Sequence, residues 1–82
     1  MKFIMSKNGG EAVNVAFVRR FAIERRIYKD GEEETCVVAE MDDDGEIEFD
    51  LKEFDSGNAE ENFAAAKKYL AELVESLNGG QS

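Results

Sequence analysis

The sequence predicts an α+β fold, a four-stranded antiparallel β-meander with one C-terminal α-helix packed on one face. Three observations predict it. Apolar and acidic residues alternate over residues 46–51, glycine-containing turns separate several apolar runs, and a later segment has apolar residues at helical spacing. Because 82 residues suit one core, we expect a single domain spanning residues 1–82, with the meander over 1–55 and the helix over 56–78.

The first half of the chain predicts two strands, the second of them broken. Residues 2–6 form a short strand candidate, closed by the turn sequence Asn8-Gly9-Gly10. Residues 11–28 are too long for one flat strand, so we expect a bend, bulge or helical turn near residues 14–18. The apolar odd positions of this segment are Val13, Val15, Phe17, Phe21, Ile23 and Ile27.

Two further turns predict the register of the remaining strands. Asp30-Gly31 between two β-patterned runs is typical of a hairpin, and residues 35–41 form the next strand. If residues 43–45 form a three-residue loop, the apolar residues of the two flanking strands lie on one face of the sheet. Its expected pairs are Met41 with Ile47, Ala39 with Phe49 and Val37 with Leu51. A three-residue loop at the earlier turn adds Phe21, Ile23 and Ile27 to that face.

The last element is a helix. Ser56 and Asn58 are both N-cap candidates, so we expect the helix to begin between residues 56 and 59. Asn78-Gly79-Gly80 supplies residues that favour a C-cap. An apolar stripe can then cover the apolar face of the sheet; it comprises Phe63, Ala66, Leu70, Leu73, Val74 and Leu77.

The residue types argue against an enzyme, a cofactor and a metal. The chain has no histidine, the commonest general base and metal ligand, and no glycine-rich phosphate loop. Asp42 begins an acidic turn, but Gly45 is fourth where a calcium loop needs glycine sixth. We therefore predict no catalytic residue, no cofactor and no metal. An enzyme that uses only carboxylates and lysine would need a sizeable pocket holding a glutamate of raised pKa.

The single cysteine and the N-terminal sequence indicate a compartment. Cys36 cannot form an internal disulfide, and alternation places it as a small apolar residue on the outer sheet face. The N-terminus lacks a signal-peptide pattern, and no apolar run is long enough to cross a bilayer. We expect a cytoplasmic protein, in bacteria or in the host cytoplasm if phage-encoded, that does not bind a membrane.

The charge predicts a basic partner. The chain has 19 Asp and Glu against 10 Lys and Arg, a net charge of -9, which disfavours direct binding to nucleic acid. Carboxylates two positions apart on a strand are about 6.8 Å apart, an interval on the scale of neighbouring backbone phosphates. The predicted partner-binding residues are Glu40, Asp42, Asp43, Asp44, Glu46, Glu48 and Asp50. The other interpretation is a solvated face with cross-strand ion pairs.

The predicted outer face mixes charges with small apolar residues. Its acids are Glu34, Glu40, Glu46, Glu48 and Asp50, its bases are Arg20, Arg26 and Lys52, and between them lie Ala22, Tyr28, Cys36 and Val38. A second hypothesis is therefore a structural or oligomerisation role, as a homodimer formed through Tyr28, Cys36 and Val38 or through an unpaired sheet edge.

Two segments carry a resemblance. LKEFDS at 51–56, followed by AAAKKYLAELVESL, resembles a loose group of small uncharacterised bacterial and phage proteins with a β-meander and a C-terminal helix. The opening MKFI, the small size and the acidic junction before the helix are also similar to small phage anti-CRISPR proteins. Several of those cover the DNA-binding surface of a CRISPR effector. The resemblance implies a non-enzymatic inhibitor that acts as a nucleic-acid mimic on a basic protein surface.

Overall fold

The computed structural model describes residues 2–42 and 48–79, which form five strands and one helix. Their bounds are β1 Phe3–Met5, β2 Ala12–Asn14, β3 Val18–Ile27, β4 Glu33–Met41, β5 Glu48–Phe54 and α1 Ala59–Gly79. β1 and β2 form a two-stranded antiparallel sheet, and β3, β4 and β5 form a three-stranded antiparallel sheet in that order. The predicted α+β class with one C-terminal helix is confirmed.

The predicted single four-stranded meander is replaced by these two sheets. The cause is the break that the sequence predicted near residues 14–18, which is a 3-10 turn at Val15–Phe17. The side chain of Asn14 accepts a hydrogen bond of 2.9 Å from the Ala16 N–H and so caps this turn. Because the turn redirects the chain between β2 and β3, the first hairpin pairs with itself instead of extending the larger sheet.

The hairpin between β3 and β4 has the expected register. The Tyr28 N–H donates to the Glu32 carbonyl at 2.8 Å, which encloses a three-residue loop, and Gly31 has a φ of +86°. That angle suits glycine and not a residue with a Cβ. Ile23 lies opposite Val37 and Phe21 opposite Ala39, which places both on the predicted apolar face, and the predicted pair of Ala39 with Phe49 is confirmed.

A register shift changes the second half of β5. Val38 pairs with Asp50 but Val37 pairs with Lys52, so one extra residue, Leu51, interrupts the ladder. The predicted pair of Val37 with Leu51 is therefore wrong, and the pair of Met41 with Ile47 lies outside the described residues. The extra residue also moves Lys52 off the outer face, where the sequence predicted it. Glu53, and not Lys52, lies opposite Cys36.

The start of α1 is determined by two asparagines. The Asn58 side chain accepts a hydrogen bond of 3.1 Å from the Glu61 N–H, so Asn58 is the N-cap, and α1 begins within the predicted range. Asn62 is buried, and its side-chain oxygen accepts hydrogen bonds from the Ser56 N–H and hydroxyl at 3.0 and 2.7 Å. Ser56 thus anchors the first turn to the loop before it.

α1 packs on the sheet face that carries Val37 and Ala39. An edge-to-face contact joins Phe54, opposite Thr35 on that face, to Tyr69 of α1, with ring centroids 6.3 Å apart. Ala66 is fully buried at the centre of the helix contact. Of the predicted stripe, Phe63 and Val74 are 41% and 40% exposed. They sit about 60° and 80° around the helix axis from Ala66, at about 100° per residue, which puts both on one flank of the packed face.

The middle strand is buried on both faces. Cys36, Val37, Val38 and Ala39 of β4 are all fully buried. Because side chains alternate between the two faces of a strand, those of Val37 and Ala39 point towards α1 and those of Cys36 and Val38 point to the opposite side of the sheet. Charged side chains of the flanking strands lie on that opposite side, and they form the candidate site described next.

Candidate partner-binding face

The face of the three-stranded sheet away from α1 carries most of its charge. We call it the charged face. Each strand contributes alternating positions, apart from the shift in β5. The charged face comprises Arg20, Ala22, Glu24 and Arg26 of β3, Glu34, Cys36, Val38 and Glu40 of β4, and Glu48, Asp50 and Glu53 of β5.

The strongest contact on the charged face joins its two outer strands. Arg26 of β3 donates two hydrogen bonds of 2.8 Å to the two carboxylate oxygens of Asp50 in β5. The strands that they join flank β4, so the Arg26 side chain passes over β4 and covers Cys36. The hydrogen bonds from Arg26 hold the pKa of Asp50 below its ordinary value and raise the pKa of Arg26.

Lys7 brings the first hairpin to the charged face. Its N–H donates to the Asp50 carbonyl at 2.8 Å, and its ammonium lies 2.8 Å from Glu53 and 3.8 Å from Asp50. The hydrogen bond with Glu53 raises the pKa of Lys7. Asp50 is thus contacted by two cations from different parts of the chain.

Glu40 is also paired within the chain. Arg19 and Arg20 donate to its two oxygens at 3.0 and 2.7 Å. These hydrogen bonds lower the pKa of Glu40, and the one from Arg20 has the larger effect. Arg19 reaches Glu40 because the β3–β4 ladder is irregular between Val18 and Arg20, which breaks the alternation at that point.

Three carboxylates converge where β5 begins. Oxygens of Glu24, Glu40 and Glu48 all lie within 4.8 Å of one another; we call this group the carboxylate cluster. Glu48 is exposed, and a hydrogen bond with Glu24 raises its pKa, because two neighbouring carboxylates that share a proton avoid mutual repulsion. Among the described residues, Glu48 has no cation within 4.0 Å, whereas Glu40 and Glu24 contact arginines.

The cysteine lies within a second group of polar side chains. The Cys36 thiol is 3.6 Å from Glu34, and Glu34 accepts a hydrogen bond of 2.5 Å from the Tyr28 hydroxyl. Burial raises the pKa of the Cys36 thiol to about 11. One ligand atom each of Glu34, Cys36 and Glu53 lies within 4.8 Å of the others, but a protonated thiol and two hydrogen-bonded carboxylates are poor metal ligands.

The structure separates the predicted partner-binding residues into three groups. Glu40 and Asp50 are neutralised by cations of the same chain. Asp42 and Glu48 are exposed at the ends of β4 and β5. Asp43, Asp44 and Glu46 lie outside the described residues.

Sequence reasoning missed Glu24, Lys7 and Glu53 as members of the charged face. Strand alternation could have found Glu24, since it shares its parity with Arg20 and Arg26. No local signal indicated Lys7 or Glu53, because their positions depend on the docking of the first hairpin and on the register shift in β5. The proposed apolar patch for self-association is also changed, since Cys36 and Val38 are fully buried and only Tyr28 of the three is exposed.

Two shallow surface depressions border the described part of the sheet. One, of about 490 Å³, lies between β5 and the start of α1, lined among others by Glu53, Phe54 and Asn62. The other, of about 230 Å³, lies beside Glu48, Asp50 and Lys7. The second depression contains Glu48, whose pKa is raised, but its volume is below the roughly 300–1,000 Å³ of typical ligand pockets.

Comparisons with known proteins give no relative. No family model matches the chain, and no curated protein or solved structure matches it either. In the described ranges 2–42 and 48–79, no helix combines the length and the apolar character that crossing a membrane requires.

Proposed function

We propose that this protein is a non-enzymatic binding module that covers a basic, nucleic-acid-binding surface of a partner protein. The observation that carries the proposal is the carboxylate cluster, in which Glu48 has a carboxylate neighbour but no cation partner among the described residues. An arginine or lysine of a partner would donate hydrogen bonds to Glu48 and so relieve its repulsion with Glu24.

The surrounding sequence supports a basic partner. Asp42 is exposed at the end of β4, and three more acids, Asp43, Asp44 and Glu46, follow it in the sequence before Glu48. These residues account for much of the excess of acids over bases. Elsewhere on the described charged face, the carboxylates form ion pairs with cations of the same chain. The carboxylates without such a pair therefore lie at the end where β5 begins.

The binding surface proposed here is smaller than the one that the sequence predicted. Asp50 and Glu40 already form ion pairs with arginines of the same chain. We therefore assign them a structural role in the charged face and not a contact with the partner. The proposed contact residues are Asp42, Asp43, Asp44, Glu46 and Glu48. We propose inhibition of a CRISPR effector, in the manner of small phage inhibitors, as one form of this function.

Retention of basic proteins from a nuclease-treated bacterial lysate tests the proposal. The wild type is immobilised beside a variant with Asp42→Asn, Glu46→Gln and Glu48→Gln. The matched control carries Glu32→Gln, Glu72→Gln and Glu75→Gln, three exposed acids away from the cluster. Wild type and control should retain the same nucleic-acid-binding proteins in low salt and release them in about 0.5 M salt, where charges are screened beyond about 4 to 5 Å.

The variant should retain those proteins much less than the control does. Equal retention by the two variants would mean that net charge alone, and not the acidic end of the sheet, attracts the partner. Retention that salt does not weaken would contradict an electrostatic interface.

A further inference from the structure

β3 is an open edge of the larger sheet. The strand order is β3-β4-β5, and within residues 2–42 and 48–79 no strand pairs with β3 on the side away from β4. The opposite edge differs, because the Lys7 N–H donates to the Asp50 carbonyl of β5. With ten residues, β3 is long for an edge strand. Its four arginines and the irregularity near Arg19 discourage unspecific pairing, so a strand that pairs with this edge must match its charges.

The hydrogen-bond pattern shows which backbone groups face outwards. Tyr28 bonds across to Glu32, so in the regular part of the ladder the even-numbered residues of β3 direct their N–H and C=O groups to β4. The odd-numbered residues Phe21, Ile23 and Arg25 therefore direct theirs away from the sheet. They offer a regular set of donors and acceptors to a strand that would lie beside β3.

We propose that a second copy of this chain pairs its own β3 antiparallel to this edge, with Ala22 opposite Ala22, to form a continuous six-stranded sheet. In this register Arg20 of each copy lies opposite Glu24 of the other. Each Arg20, already 2.7 Å from Glu40 of its own chain, would then also contact a carboxylate across the interface, which gives two cross-strand ion pairs. Phe21 lies opposite Ile23 twice on the other face. Opposite charges and apolar pairs that face each other are what stabilise adjacent strands.

The charges select this register over its neighbours. When two copies of β3 pair antiparallel through their outward-facing odd residues, each change of register moves the centre of symmetry by one residue. A centre at Phe21 places Arg20 and Glu24 opposite the uncharged Ala22 and Val18. A centre at Ile23 places Arg20 opposite Arg26, and a centre at Glu24 places that acid opposite itself. The chosen register opposes Arg19 and Arg25, but these two arginines are bound to Glu40 and Glu33 of their own chain at 3.0 and 2.7 Å.

An exposed apolar residue lies at the end of this edge. Ile27 is 67% exposed, the largest value among the large apolar residues that the structure describes. A second strand beside β3 would cover part of its side chain.

The helices do not obstruct this pairing. α1 contacts β4 more extensively than β3 or β5, and three strand spacings would separate the two β4 strands, about 14 Å in all. That separation exceeds the roughly 8–10 Å between packed helices. Arg20 of the second copy would also lie beside Glu24 of the carboxylate cluster, whereas Glu48 lies on β5, the strand farthest from the dimer interface, and Asp42 follows β4.

The first test is the oligomeric state together with a cross-link. The wild type should sediment as a dimer at about 0.5 mM and dissociate on dilution. Ala22→Cys, in a Cys36→Ala background, should form a disulfide-linked dimer under mild oxidation. The Ala22 pair is a non-hydrogen-bonded pair, whose Cα atoms are about 4.5 Å apart, within the range of a disulfide. The control Ala16→Cys, in the same background, should form far less.

The second test separates the pairing from the stability of the chain. Glu24→Arg places like charges opposite each other in the dimer. Within one chain it removes both the repulsion at Glu48 and the contact of Glu24 with Arg26 at 3.3 Å. It should weaken dimerisation by about tenfold or more, from two lost ion pairs, and the unfolding temperature of the diluted monomer measures the loss within one chain separately. Glu75→Arg makes the same charge change on α1 and should leave dimerisation intact.

A wild type that remains monomeric at about 0.5 mM would overturn the proposal. A dimer that Ala22→Cys does not cross-link above the control, or that Glu24→Arg and Glu75→Arg leave equally strong, would overturn it too. Either of the last two results would mean that the copies meet through another surface.

Discussion

Arg26 and Asp50 form a double hydrogen bond across the middle strand of the sheet. Both distances are 2.8 Å, and the two residues lie on β3 and β5, on either side of β4. The pair therefore ties the outer strands together on the face that α1 does not cover. It also shields Cys36 and Val38, so that a small sheet has a core on both sides.

Arg26→Met should lower the free energy of unfolding by about 1 to 3 kcal/mol, because it leaves the half-buried Asp50 carboxylate without its main partner. Arg25→Met is the matched control. Its exposed ion pair with Glu33 should contribute less than about 0.5 kcal/mol. Urea denaturation measures both. Equal losses in the two variants would contradict a special role for the pair across β4.

The contribution of the Arg26–Asp50 pair should depend on pH. Because the pKa of folded Asp50 is lowered from 3.8, its stabilising effect is fully present above about pH 4 and is lost as the pH falls through the lowered pKa. The difference in unfolding free energy between wild type and Asp50→Asn should therefore be constant near neutrality and shrink in acid. A difference that stays constant down to about pH 2 would exclude this linkage.

Glu48→Gln should have the opposite pH dependence. The pKa of folded Glu48 is raised from 4.5, so ionising it costs stability, and this cost appears as the pH rises through the raised pKa. The variant should be more stable than wild type at pH 7, by about 0.5 kcal/mol or less for an exposed group, and equal to it in acid. Glu72→Gln, at an exposed position on α1, should show no such change. A Glu48→Gln variant less stable than wild type at pH 7 would argue against repulsion in the carboxylate cluster.

The Cys36 thiol should be unreactive in the folded protein. It is fully buried and its pKa is raised to about 11. At neutral pH, labelling by a thiol reagent should be about a hundredfold slower, or more, than in denaturant, because it requires opening of the sheet. Ala16→Cys adds an exposed thiol and should react at once. Fast labelling of wild-type Cys36 would show that the charged side chains do not seal the outer face.

Local patterns predicted the elements because their causes are local. The Asp30-Gly31 turn, the Asn58 cap and the break near residues 14–18 each depend on a few adjacent residues, and all three are confirmed. Turn length and strand alternation likewise gave the correct pair of Ala39 with Phe49 and placed Phe21 on the correct face.

The rest depended on contacts between distant segments. The extra residue at Leu51 has no signature in the alternation of residues 46–51, yet it exchanges Lys52 for Glu53 on the charged face. Lys7 reaches that face only because the first hairpin docks beside β5. The sequence therefore placed Glu34, Glu40, Glu48 and Asp50 on one face correctly, but it missed Glu24 and Glu53, misplaced Lys52 and did not show which acids the chain neutralises by itself.

Competition by DNA tests the proposed function most directly. Proteins retained by the immobilised wild type would be challenged with a DNA duplex at constant ionic strength, and in parallel with inorganic phosphate at the same ionic strength. If this protein covers a nucleic-acid-binding surface, the duplex should elute its partners and inorganic phosphate should not. Partners that stay bound while they also bind the duplex would contradict the account, because the two surfaces would then be different.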